Sequence, residues 1–188
     1  MNQDRLLIIG GSAGSLQVIV AMLTALGKDY PMPVLVVLHR NGIFESTLEE
    51  LLIIRTSQQI KEVEEKDFLR PGLVYIAPAD YHVLLEQDRS FSLDYSERVN
   101  YSRPSIDVTF RSAAEVYTSG LIAVLLSGGN ADGAEGMEVV KACGGYTIVQ
   151  DPGTAEVPYM PQQALLRVEV DVVATTEDLP AIVRGLAR

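Results

Sequence analysis

The chain has 188 residues, 47% hydrophobic and 21% charged, which suits one domain with a sizeable core and argues against disorder. Its formal net charge of -10 and pI near 4.6 argue against nucleic acid or an anionic membrane surface as partner, because either requires a basic footprint. The single cysteine, Cys143, cannot close an internal disulfide, so a reducing compartment is expected.

The N-terminal "MNQDRLLIIGG" places an acidic residue beside its arginine, and its apolar run is too short for a signal peptide. No segment reaches the roughly 20 apolar residues that span a bilayer, so a cytoplasmic protein without membrane insertion is expected. Residues 5–9 form a continuous apolar run, as a strand buried on both faces does. "SLQVIVAMLTAL" (15–26) predicts a buried helix ended by Gly27. "VLVVL" (34–38) predicts a second strand, and 45–55 an amphipathic helix opening on carboxylates that suit its dipole.

The stretch 73–95 has short β-rich runs broken at Pro78-Ala79-Asp80 and at 87–90, which predicts an inserted antiparallel hairpin. Alternation then returns: helix 105–118, strand 121–126, helix 132–142, strand 146–150, a short helix near 160–166, strand 170–174 and a final helix near 177–187. Thr175 with Asp178 predicts an N-terminal cap for that last helix. Cys143 falls near a helix end and reads as a buried structural thiol. With no repeat or linker, residues 1–188 read as one α/β domain, doubly wound, with a mainly parallel sheet flanked by helices.

In open α/β sheets, sites form beyond the carboxyl ends of the strands. Three such ends here carry reactive residues: Ser12, His39 and Asp132. Serine is a poor nucleophile until a base takes its proton, imidazole is the usual base, and a carboxylate behind it fixes the tautomer. Gly10-Gly-Ser-Ala-Gly14 fits G-x-S-x-G in a strand–turn–helix setting, with the Ala13 amide as an oxyanion donor. A phosphate-binding loop is the competing reading, although G-x-G-x-x-G fails at Ser12 and no P-loop lysine follows.

His39 ends a strand, where a polar residue often merely satisfies backbone groups. The other histidine, His82, lies inside the predicted hairpin and reads as surface or structural. Asp132 precedes a helix, so an N-cap is its simpler role, but Gly128, Gly129 and Asn130 before it can bring amides to a ligand. Asp80, Asp107 and Asp151 are rival carboxylates with surface readings. Pro104 suits a first helical turn, so Arg103-Pro104-Ser105 reads as a helix start, with orientation of an acidic segment by Arg103 as the alternative.

These residues carry a family resemblance. "IGGSAGS", "VLVVLHRN", "PGLVYIAPADYH", "RPSIDVTFRSAA", "LLSGGNADGAEGM" and "IVQDPGTAEVPYMPQQAL" occur in the order found in the catalytic domain of CheB protein-glutamate methylesterases of bacterial chemotaxis, which the chain resembles nearly end to end. The resemblance implies a Ser–His–Asp triad of Ser12, His39 and Asp132, with no metal or organic cofactor. It implies hydrolysis of γ-glutamyl methyl esters on the cytoplasmic region of chemoreceptors, with release of methanol and, in many members, receptor glutamine deamidation. Well-known members carry methionine at the position of Gly129 and threonine at that of Ala13, which bears on specificity more than on catalysis. No receiver domain is found ahead of "LIIGGSAGS", so regulation by phosphorylation of the same chain is not assumed: either a standalone enzyme is expected, or a regulatory part that lies outside this sequence or on a separate protein. A catalytically weak signalling scaffold and a nucleotide-binding module are the alternatives carried forward.

Overall fold

The structure, a computed structural model, describes residues 5–40 and 45–187, except the side chains of residues 45–47. The carboxylate expected to open the helix at Glu45 therefore lies outside the described residues, as do the first four residues of the N-terminal stretch and Asn41 of the "VLVVLHRN" block.

β1 (Leu6–Gly11) is the centre of the sheet, buried at every position. Side chains alternate across a strand, and here both faces are covered, so no polar residue interrupts the run. Leu7 and Ile9 join one core with α1 (Leu16–Leu26), β2 (Val34–Leu38) and α2 (Glu45–Thr56). α1 offers that core Val18, Ile19, Met22, Leu23 and Leu26, a helical stripe, and stops at Gly27 with φ 75°. Leu6 and Ile8 face a second core on the opposite side of the sheet, shared with Ile106, Phe110, Met137 and Val140.

The chain continues through β3 (Ile60–Glu62), β4 (Val74–Ile76), β5 (His82–Leu85) and β6 (Phe91–Asp94) to α3 (Ile106–Tyr117). It then runs through β7 (Leu121–Leu125), α4 (Ala134–Ala142), β8 (Tyr146–Gln150), α5 (Tyr159–Arg167), β9 (Val172–Ala174) and α6 (Leu179–Gly185). Seven parallel strands pair in the order β3-β4-β2-β1-β7-β8-β9, and β5 and β6 form a separate antiparallel pair. The order reverses at β1: the chain builds one wing through β2, then crosses to β7 to build the other. This doubly wound sheet with an antiparallel hairpin agrees with the sequence reading and places the switch point beside Ser12.

Several boundaries differ. The hairpin is narrower than 73–95, because Val74–Ile76 pairs in parallel with β2 and belongs to the main sheet. β3 has no counterpart in the sequence reading; three half-buried residues, Ile60-Lys-Glu62, carry too short a pattern to show. Pro104 stands outside α3, whose N-cap is Ser105, with the Ser105 hydroxyl accepting from the Val108 amide. Cys143 does sit at the end of α4 but is only half-buried. Thr175 and Asp178 bond reciprocally before α6, the Thr175 hydroxyl donating to Asp178 Oδ2 at 2.7 Å and accepting from its amide at 3.2 Å.

Candidate active site

Ladder pairing brings the three strand ends together. Gly11 of β1 stands opposite Leu38 of β2, and the His39 amide donates to the Gly11 carbonyl at 3.1 Å. On the other side the Ser12 amide donates to the Ser127 carbonyl at 2.9 Å, just beyond β7. Ser12 thus lies between the His39 turn and the 126–133 loop because its strand lies between theirs.

The turn after Ser12 is held by close packing. Gly14 takes φ +78°, and a Cβ there would stand 2.8 Å from Ser127 Oγ and 2.7 Å from Glu156 Cβ. Ser12 itself lies outside the positive-φ region, so the left-handed residue of the turn is Gly14, which adopts it without strain, rather than the serine. The Ser15 hydroxyl donates to the Ser12 carbonyl at 2.7 Å, which tightens the first turn leading into α1.

His39 Nε2 and Asp132 Oδ2 are 2.7 Å apart. Because the carboxylate must accept, the imidazole proton belongs on Nε2 and Nδ1 carries the lone pair. Nδ1 faces Ser102 Oγ at 3.2 Å, so the Ser102 hydroxyl donates to it. Among the described residues, Ser12 Oγ has no hydrogen-bond partner. The carboxylate and imidazole are paired, while the nitrogen that would take the Ser12 proton is occupied by a second hydroxyl.

Asp132 is fully buried and does not cap its own helix, α4, whose N-cap is Gly133. It sits instead at the N-terminus of α3. Oδ2 also accepts from the Ile106 amide at 2.6 Å; Oδ1 accepts from the Ser105 hydroxyl at 2.8 Å, the Asp107 amide at 3.1 Å and Asn100 Nδ2 at 3.1 Å. Free amides and the positive end of the dipole suit an anion there. Burial disfavours the charge, but the His39 contact, the Ile106 amide and Asn100 outweigh it and hold the Asp132 carboxyl below the ordinary range.

Asp107, expected at the surface, is buried and shares this site. Its Oδ1 accepts from the Gly136 amide at 2.6 Å and its Oδ2 from Asn100 Nδ2 at 2.7 Å. Burial pushes its carboxyl up to about 6, opposed by the Gly136 amide and reinforced by the Asp132 charge. Two buried carboxyls this close do not both ionise readily, and Asp132, with the larger set of donors, keeps the charge. Asp80 and Asp151, the other rivals, are half-buried and make no hydrogen bond to His39.

The substrate-loop residues divide. The Gly128 amide is committed to the Val157 carbonyl at 3.1 Å, so it is not an oxyanion donor as expected. Gly128 matters for space: a Cβ there would stand 3.0 Å from Ser12 Cβ and collide with Met160 Cε. Among the described residues, no acceptor engages the Ala13, Gly129 or Asn130 backbone amides, which leaves them available to a ligand. The Asn130 side chain serves the framework, its Nδ2 donating to the Asn100 carbonyl at 3.2 Å and lying 3.4 Å from Ser102 Oγ.

His82 takes the structural of its two readings: it is buried, its Nδ1 accepting from the Ser105 amide and its Nε2 2.9 Å from the Glu97 carbonyl. Arg103 is structural. Its guanidinium lies 3.9 Å from the centre of the Tyr95 ring and donates to the Tyr95 and Ser96 carbonyls. Sequence reasoning missed Asn100, Ser102 and Ser105 as parts of the site. "RPSIDVTF" marked a helix start, but nothing local showed that its free amides would receive a carboxylate from a distant loop.

Residues 7–183 match the family model for the CheB methylesterase. The chain belongs to the CheB methylesterase family. A Thermotoga maritima protein-glutamate methylesterase/protein-glutamine glutaminase is 35% identical over 179 residues, covering 94% of this chain and 52% of that protein, so this chain spans about half its length. A Leptospira interrogans protein provisionally given the same name is 43% identical over 183 residues, covering 95% of this chain and 92% of that one. The crystal structure of the Thermotoga maritima CheB methylesterase catalytic domain superposes with a TM-score of 0.91 at 34% identity, over 97% of this chain and 98% of that one. The CheB methylesterase fold therefore extends across the site built above.

Proposed function

We propose that this chain acts as one catalytic domain, a serine hydrolase that removes methyl esters from glutamate side chains of chemoreceptor cytoplasmic regions, in the cytoplasm. The names of its relatives also support deamidation of receptor glutamines. The observation that carries the reading is the His39–Asp132 pair at 2.7 Å, set beside Ser12 at the switch point of a CheB methylesterase fold.

In this mechanism Ser12 Oγ attacks the ester carbonyl carbon as its proton passes to His39 Nδ1, once Ser102 Oγ has yielded that nitrogen. Asp132 stabilises the resulting imidazolium through Nε2. Electrons from the carbonyl π bond move to oxygen, which takes the Ala13 and Gly129 amides as donors. Collapse expels methoxide, protonated by His39 to methanol, and leaves a glutamyl ester on Ser12. A water molecule, deprotonated by His39, then releases glutamate and regenerates Ser12. With a glutamine substrate the leaving group is ammonia.

A second reading is a scaffold that binds a receptor without turnover, and the unengaged Ser12 hydroxyl favours it. Methanol release from a methylated receptor fragment separates the two. The esterase reading predicts release by the wild type and loss in a folded Ser12→Ala variant. Binding of the fragment with no Ser12-dependent release supports the scaffold instead.

A further inference from the structure

We propose that Tyr101 is a specificity-determining contact, meeting the polypeptide that flanks the esterified glutamate of the substrate protein; this rests on the esterase reading above. Val99 and Ser102 exchange backbone hydrogen bonds, Val99 N to Ser102 O at 3.1 Å and Ser102 N to Val99 O at 2.9 Å, closing a tight turn with Asn100 and Tyr101 at its tip. Both tip residues take positive φ, 51° and 64°. Asparagine tolerates that conformation, whereas a bulky side chain rarely adopts it.

The residues on either side of Tyr101 are fixed to the site. Asn100 Nδ2 bridges Asp107 and Asp132, and Ser102 Oγ donates to His39 Nδ1. Tyr101 itself is 94% exposed. The turn therefore presents a large ring from a backbone anchored to the catalytic base and its carboxylate, and that ring contributes almost no burial to the fold.

The substrate makes this placement consequential. A glutamyl ester carbon lies three C–C bonds from its own Cα, a reach of about 4 Å. To reach Ser12, the substrate protein must bring its main chain to the mouth of the site. A side chain held there in the open meets the residues flanking the ester. A small ester has no such flanks and does not need the contact.

The test compares kcat/KM for a methylated receptor fragment and for N-acetylglutamate γ-methyl ester across wild type, Tyr101→Ala and Tyr101→Asn. Asparagine preserves the left-handed preference, so the turn itself is kept. The expected result is a loss of about tenfold on the protein substrate in both variants, mainly through KM, as truncation of an anchoring tyrosine gives, with the small ester unaffected. Equal losses on both substrates, or no loss on the protein, would overturn the proposal. If the wild type hydrolyses the small ester but releases no methanol from the receptor fragment, the receptor assignment itself fails and the Tyr101 proposal falls with it.

Discussion

Asp132 Oδ2 accepts a hydrogen bond from the Ile106 amide at 2.6 Å, so the carboxylate behind the imidazole is seated on a helix that follows the hairpin rather than on its own. The helix α3 N-terminus, the loop carrying Asn100 and the β7 loop all meet at this one side chain. The pairing of His39 thereby depends on the packing of elements far apart in sequence.

Asp132→Asn replaces an acceptor oxygen with an amide that faces donors. The proton pattern of His39 is also disturbed, since the new side chain can force the wrong tautomer. Ester hydrolysis is expected to fall about 10⁴-fold, as for loss of the orienting carboxylate in other triads. Stability also falls, because the α3 amides lose part of their partner. Steady-state methanol release and thermal unfolding check both; an unchanged rate would remove Asp132 from the mechanism.

Gly128 and Gly129 are adjacent but face different surroundings. Alanine at 128 crowds Ser12 Cβ and Met160, whereas at 129 the nearest atom, Val157 Cγ1, is 3.9 Å away. Gly128→Ala is expected to lower the rate tenfold or more, on the order of what small misplacements of reacting groups cost. Gly129→Ala is expected to leave stability unchanged. Rates and unfolding midpoints of the two variants, measured side by side, provide the check.

The Asp107 carboxyl gives the protein a pH dependence of definite sign. Its folded pKa, about 6, lies above the ordinary 3.8, so its contribution to stability is full below 3.8 and is lost as pH rises through 6. The loss is on the order of 3 kcal/mol, at about 1.4 kcal/mol per pKa unit. Asp132 acts in the opposite sense, its carboxyl held low, so its contribution is lost in acid. Asp107→Asn is expected to flatten the fall in unfolding free energy between pH 5 and pH 8, whatever its effect on stability at pH 5. Denaturant unfolding at the two pH values decides; an unchanged slope would mean that Asp107 is ionised throughout.

The elements that carry Ser12 and His39 are legible because continuous apolar runs stop short, "LLII" at Gly10-Gly11-Ser12 and "VLVVL" at His39, and strand ends are where doubly wound sheets place chemistry. Asp132 is legible as a carboxylate in a glycine-rich loop, but its seat on α3 is not. That contact joins residues 105–107 to 132, a non-local pairing that no periodicity encodes. Asn100 and Ser102 escaped notice for a similar reason: their segment has turn composition, and only its fold-back against His39 gives it a role. β4 reads as part of the hairpin in the sequence because "VYI" has the same β-rich pattern whether its partner is parallel or antiparallel.

The most direct measurement is covalent capture with a serine-directed fluorophosphonate, followed by peptide mass mapping. Activation of Ser12 by the His39–Asp132 pair predicts one adduct per chain, on the Ser12 peptide, absent in Ser12→Ala and slowed by orders of magnitude in His39→Ala. Labelling at Ser102 or elsewhere, or Ser12 labelling unchanged in His39→Ala, would contradict it.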